Sequence, residues 1–272
     1  MSKREELIKR LLAGVAGAFV IIFAIAFSKW SYFAIFFSIT IITQWEFYGL
    51  LRAQSFLPIR LLGVAIGSLI FILSFLIEDD LISDRIYFIL FPLSSFIFFI
   101  KLYKKNDTNP FTNIAFFFLG IIYVSVPLSL LNVTAFITGA YNYQLPLGIL
   151  LILWASDTGA YFAGVNFGKT KLFERVSPKK SWEGSLGGTA LAMAMAYGLS
   201  HYFEVVGLIS WIIITVIIVI AGTYGDLVES MFKRSILIKD SGTTIPGHGG
   251  FLDRFDGLLL AVPFIIVYLE LM

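Results

Sequence analysis

An all-α fold that crosses a membrane many times is what this sequence predicts, and three observations predict it. Hydrophobic residues fill 58% of the 272 positions and charged residues only 14%, where soluble domains run at roughly 45–50% and about 25%. The apolar residues lie in continuous runs, and a helix needs roughly 20 of them to cross a bilayer core about 30 Å thick. If successive runs alternate in direction, all but Lys29 and Arg85 of the twenty Lys and Arg fall on one side, as cytoplasmic loops require.

About nine transmembrane helices are expected, near 11–28, 30–51, 60–77, 85–101, 112–131, 145–167, 183–203, 207–231 and 255–271. The first follows a charged start with Lys3, Arg4, Lys9 and Arg10 and ends near Ala24-Ile25-Ala26, the layout of a signal peptide. Glu5, Glu6 and the length of its apolar run favour a retained anchor helix. The second carries Glu46, which either lines a polar cavity or bonds a neighbouring helix. In the third, Gly63 and Gly67 stand four apart, a spacing that lets helices approach closely in lipid. Gly164 with Gly168 and Gly184 with Gly188 repeat that spacing. The acidic group Glu78, Asp79, Asp80 and Asp84 falls on the outer side, and Lys101, Lys104 and Lys105 on the inner side. No polar stretch is long enough for a separate soluble domain. One membrane domain, 1–272, is expected, with N-terminal helices over 1–138 and catalytic helices and loops over 139–272. The chain has no Cys, so no disulfides form, which suits a reducing cytosolic face. A net charge of +2 marks no nucleic-acid partner.

Charges within membrane spans are costly, so each is a functional candidate. Asp157 lies in the sixth span, and Asp226 and Glu229 in the eighth. At about 100° per residue, Asp226, Ser230 and Lys233 share one helical face. Lys233 and Arg234 alone would equally suit a snorkelling boundary. The loop that follows combines Lys239, Gly249, Gly250, Asp253, Arg254 and Asp256 with His248. Glycines let backbone amides approach a ligand, the cations suit phosphate oxygens, and the carboxylates are hard donors of the kind Mg²⁺ takes beside substrate phosphates. No second His stands at ligand spacing and His201 is on the outer side, so no zinc site is expected; His248 is a hydrogen-bonding or turn residue, with acid–base work the weaker option.

The loop after the sixth span repeats the theme with Lys169, Ser177, Lys179 and Lys180. Gly168-Lys169-Thr170 is no Walker loop, because Ala163 stands where its first Gly belongs. Lys179 and Lys180 suit a phosphate substrate and anionic headgroups equally. On residues alone a transporter is a rival, since it too uses intramembrane carboxylates, but its site would lie at mid-membrane and these groups collect on one side.

From Ser230 to Asp256 the chain reads S-M-F-K-R-S-I-L-I-K-D-S-G-T-T-I-P-G-H-G-G-F-L-D-R-F-D. This stretch resembles the signature of phosphatidate cytidylyltransferases, and Asp157–Gly184, with S-P-K-K-S-W-E-G, is similar to the same family. The resemblance implies an enzyme of phospholipid biosynthesis that turns CTP and phosphatidic acid into CDP-diacylglycerol and pyrophosphate. It implies Mg²⁺ and leaves a second cation open, and it implies a homodimer among membrane lipids. The catalytic residues it points to are Asp226, Asp253, Lys233, Arg234, Lys239 and Arg254, with Asp226, Asp253 and Asp256 as metal ligands. Asp157, Lys169, Ser177, Lys179, Lys180, Ser230, His248, Gly249 and Gly250 are the expected substrate-binding set. The active site is expected on the cytoplasmic side, at the inner membrane if the source is bacterial. A related enzyme acting on another lipid phosphate or alcohol is the nearest alternative.

Overall fold

The computed structural model describes residues 3–272 apart from 54, 55, 57, 106, 239, 240 and 243–248, with side chains from residue 14 onward. Lys239 and His248 of the expected site therefore lie outside the described residues. The helices follow the apolar runs: α1 Lys3–Phe27, α2 Lys29–Ala53, α3 Arg60–Glu78, a 3-10 segment Asp84–Ile89 running into α4 Leu90–Tyr103, then α5 Pro110–Gly120 and α6 Val126–Phe136. After these come α7 Gln144–Phe167, α8 Trp182–Tyr202, α9 Leu208–Ser235 and α10 Leu252–Leu271. The fold is all-α in its spans, and two short strands, β1 Lys171–Phe173 and β2 Ser177–Ser181, pair antiparallel in the polar loop after α7.

Among the described residues, six helical stretches are long and apolar enough to cross a membrane: Lys29–Ala53, Arg60–Glu78, Asp84–Tyr103, Pro110–Phe136, Gln144–Phe167 and Leu208–Ser235. The expectation of about nine exceeds that number for a compositional reason. Asp253, Arg254 and Asp256 lie in the first turns of α10, and the Gly- and Ala-rich α8 carries Glu183 in its first turn. The described apolar part of α1 is the shorter Gly14–Phe27.

The chain divides into two compact units, one of residues 1–139 with 240–254, the other of 140–239 with 255–272. In the first unit α3 packs against both α2 and α6. Tyr48 of α2 is fully buried, and its ring fills the space left by two glycines: a Cβ at Gly63 would stand 2.5 Å from it and one at Gly120 2.6 Å. Its hydroxyl donates to the Phe117 carbonyl oxygen at 2.7 Å, as a buried phenol must find a partner. Pro127 supplies no N–H for the preceding turn, and the helix ladder widens into a π turn over Ile121–Ser125. Buried polar side chains bond across helices, Ser74 to the Ser129 carbonyl and Asn132 to the Phe71 carbonyl, which satisfies backbone and side chain where no water reaches. At one end Lys29 pairs with Asp79 at 2.7 Å. Both residues were expected on the outer side.

The second unit is built on α7 and α8, which run antiparallel with their backbones touching. A Cβ at Gly159 would stand 2.6 Å from the Gly187 carbonyl oxygen, one at Gly188 2.7 Å from that of Ser156, and one at Gly184 3.0 Å from that of Ala160. The four-residue spacing of small residues thus performs the close packing anticipated for it. Glycines also bring α9 against α10, where a Cβ at Gly225 would stand 2.5 Å from the Asp256 carbonyl oxygen.

Candidate active site

Close approach of α9 and α10 at Gly225 has a chemical consequence, because Asp226 and Asp256 are the neighbouring side chains. The charges of Asp226, Asp157 and Lys180 all act on the Asp256 carboxyl. Asp256 Oδ1 also accepts the Gly257 N–H at 2.8 Å. Asp226 uses both its oxygens: Oδ2 pairs with Lys180 Nζ at 2.7 Å, and Oδ1 accepts from Ser230 Oγ at 3.3 Å. Lys180 Nζ also donates to the Thr223 carbonyl oxygen at 3.3 Å. Asp157 and Asp226 outnumber the one ammonium, so the cluster is net negative whichever form Asp256 takes.

The hairpin delivers Lys180. Successive residues of a strand point to opposite faces, so of the two adjacent lysines on β2, Lys179 is exposed and Lys180 half-buried. The hairpin is anchored at both ends. Ser181 caps α8 by accepting the Gly184 N–H at 3.2 Å, a role for which Ser is favoured. Glu183, in the first turn of α8, accepts the backbone N–H groups of Lys169 and Thr170, each at 3.1 Å. Trp182 N–H donates to the Thr170 carbonyl at 2.9 Å. Glu183 is inconspicuous as a site residue in the sequence, where its signal is a Ser followed by an acidic residue at a helix start. The Lys169 and Ser177 positions belong to this hairpin region, Ser177 pairing with Phe173.

Further along α9 the expected phosphate cations are engaged differently. Lys233 pairs with the buried Glu229 at 2.5 Å, one turn apart, and the Arg234 guanidinium donates to the Ile238 carbonyl at 3.3 Å. Arg234 is exposed and Lys233 only half-buried.

In the first unit, the loop before α10 is organised by two carboxylates. Asp253 Oδ2 accepts the backbone N–H groups of Gly250 at 3.0 Å and Ser241 at 3.2 Å. Gly249 has φ +85°, a conformation natural to glycine, and a Cβ there would meet Asp253 Oδ2 at 2.6 Å. Glu46 Oε2 accepts the Leu252 N–H at 3.1 Å, placing a negative charge at the positive start of α10. Of the two readings open for Glu46, the buried hydrogen bond is the one observed. Arg254 is exposed on the first turn of α10.

Residues 8–272 match the cytidylyltransferase family. The chain belongs to that family. Its relatives include a Bacillus subtilis phosphatidate cytidylyltransferase, 31% identical over 97% of both chains. A Haemophilus influenzae protein of the same name is 49% identical over 43% of this chain and 42% of its own length. A Staphylococcus saprophyticus protein of that name is 35% identical over 64% of this chain and 66% of its own. The chain thus matches less than half the length of the Haemophilus relative and nearly all of the Bacillus one. In this cytidylyltransferase-family chain, Asp157, Lys180, Asp226, Ser230 and Asp256 belong to one unit, and Gly249, Gly250, Asp253 and Arg254 to the other.

Proposed function

We propose that this chain is a phosphatidate cytidylyltransferase, which joins CTP to phosphatidic acid and yields CDP-diacylglycerol and pyrophosphate. The observation that carries the reading is the Lys180–Asp226 pair beside Asp256, in a chain matched from end to end by a relative of that name. A phosphate oxygen of phosphatidic acid attacks the α-phosphorus of CTP, the bond from that phosphorus to the β-phosphate oxygen breaks, and pyrophosphate leaves. The nucleophile is already an anion, so the difficulty is to bring two polyanions together.

The donor set fits a divalent cation. Asp226 and Asp256 supply hard oxygens on helices whose backbones touch, and the cluster is net negative. Among the described residues, no three His, Cys, Asp or Glu side chains are arranged to enclose an ion by themselves; Mg²⁺ commonly takes one or two carboxylates and completes its shell with water and substrate phosphates. Asp226 and Asp256 would hold Mg²⁺, which would supply positive charge to offset the negative charge that builds on the leaving group. Lys180 balances Asp226 before substrate binds and turns to a phosphate oxygen when CTP arrives. In the other unit Asp253 shapes the glycine loop by accepting the Gly250 and Ser241 N–H groups. The reading sets these polar loops on the cytoplasmic side, where the basic residues concentrate and CTP is dissolved, in a homodimer.

The test is pyrophosphate release by purified protein in detergent with CTP, phosphatidic acid and Mg²⁺, each omitted in turn. Release should need all three, with CDP-diacylglycerol appearing in step. Release with a polyprenol phosphate and none with phosphatidic acid would overturn the substrate; transport without CTP turnover would overturn the enzyme.

A further inference from the structure

A second concentration of positive charge lies wholly within the first unit. A cavity of about 250 Å³ is lined by Arg52, Pro58, Ile59, Arg60, Leu61 and Lys104. Three of its six lining residues are cations, and among the described residues none of the three pairs with a carboxylate. Like charges gathered around one cavity repel unless an anion joins them.

The central cation is held in place. The Arg60 guanidinium stacks on the Trp45 ring, 3.5 Å from its centroid, and donates to the Trp45 carbonyl oxygen at 2.6 Å. Its Nε is buried and has no hydrogen-bond partner among the described residues. Stacking fixes the plane of the guanidinium, and an Arg fixed in this way suits phosphate recognition. The cavity also includes the start of α3, where Ile59 offers no side-chain cap, so the partial positive charge of the helix end adds to the cations.

We propose that Arg52, Arg60 and Lys104 form a phosphate pocket that takes the headgroup of an anionic lipid. Its volume is below the roughly 300–1,000 Å³ of sites that enclose a drug-sized ligand, which suits a headgroup phosphate better than a whole nucleotide. Apolar side chains flank the cations: Leu61, Leu102 and Tyr103 are exposed and belong to helices with the length and composition of membrane spans. An amphiphile matches this pairing of phosphate ligands and apolar surface; inorganic phosphate uses only half of it.

The experiment titrates the purified full chain, in neutral detergent, with dihexanoyl phosphatidylglycerol, dihexanoyl phosphatidylcholine and inorganic phosphate, by calorimetry. The double variant Arg52→Gln/Lys104→Gln removes two cations whose side chains make no polar bond among the described residues. Phosphatidylglycerol should bind the native chain and bind the double variant about tenfold more weakly or worse. Arg60→Gln, which also cuts the bond to Trp45, is measured beside it with its thermal midpoint. Equal phosphatidylglycerol affinity in native and double-variant proteins would overturn the pocket, as would phosphatidylcholine binding as tightly as phosphatidylglycerol. Inorganic phosphate binding as tightly, with the same loss on substitution, would overturn the assignment to lipid.

Discussion

Both units pack their membrane helices with the help of glycine, but they use it in different proportions. In the first unit glycines make room for side chains: Gly63 and Gly120 receive the Tyr48 ring, and Gly67 faces Gln44 and Ser125. In the second Gly148 likewise receives the Trp211 ring, but Gly159, Gly184, Gly188 and Gly225 make room for backbone. A side chain seated in a glycine notch fixes the register of neighbouring helices while leaving their axes a ring's thickness apart. Backbone contact brings the axes to their nearest approach, so short side chains on facing helices interact directly. Asp has a short side chain. Asp226 and Asp256 act on one another because Gly225 lets α9 and α10 meet, a consequence that a scaffold of seated aromatics would not produce.

The polar groups divide along the same line. Between the helices of the first unit, Tyr48, Ser74 and Asn132 give their protons to backbone carbonyls and serve cohesion. Those of the second unit's cluster go to one another, as Lys180, Asp226 and Ser230 do, and retain charge that a substrate can redirect.

The strongest test of this contrast is Asp226→Asn. Pyrophosphate release should fall by about a hundred- to thousandfold, the usual loss when a group that stabilises transition-state charge is removed, with the thermal midpoint near that of the native protein. A variant that keeps near-native turnover would remove Asp226 from the chemistry.

Next come the glycines. Gly225→Ala and Gly63→Ala should each destabilise by about 1–3 kcal/mol, the range for overpacking. Their remedies should differ. Trimming the obstacle with Tyr48→Leu should restore part of the Gly63→Ala loss in thermal midpoint, because a side chain is in the way. No side-chain change should rescue Gly225→Ala, where the obstacle is the Asp256 carbonyl, and its turnover should fall more than tenfold even in the folded fraction. Equal activity loss in both glycine variants would erase the distinction between the units.

The adjacent lysines offer a finer comparison within one strand. Lys180→Ala should lower turnover by about tenfold or more, while Lys179→Ala should change it less than about twofold, as exposed charges do. Similar losses would return both residues to the role of headgroup contacts.

The smallest effect concerns a loop of the first unit. Asp107 accepts from Lys101 and, at 2.6 Å, from Asn113 Nδ2. Burial alone would push its carboxyl up, but those hydrogen bonds outweigh it and hold the group below its ordinary value. A depressed carboxylate contributes stability that is complete above its unfolded pKa of about 3.9 and is lost as pH falls through the lower folded value. Asp107→Asn should therefore lower the thermal midpoint by a few degrees at pH 7, and the difference from native should shrink on acidification below about pH 4. A difference that grows there would reverse the sign assigned to the pair.

Much of the fold was legible because hydropathy is additive along the chain: an apolar run has one low-energy conformation in lipid, a helix, and the observed helices follow the runs. The number that qualify as spans was less legible, since α8 and α10 carry polar first turns. The candidate residues were legible too, because a carboxylate in an apolar helix is conspicuous wherever it ends up. Their assignments were not. Nothing in adjacent lysines distinguishes Lys179 from Lys180 until the loop folds as a hairpin, and Glu183 gains its part in the loop only once Lys169 and Thr170 lie against the start of α8.

The sequence by itself determined that this chain is a helical membrane protein of the cytidylyltransferase family, with acidic and basic groups gathered in two polar loops. Tertiary structure alone decided which distant charges meet: Lys180 with Asp226 and Glu46 with the start of α10. The physical reason is range. Hydrophobicity and helix periodicity act between near neighbours in sequence, whereas an ion pair depends on a few ångströms between residues far apart in the chain, as when Lys180 reaches Asp226 from the hairpin between α7 and α8.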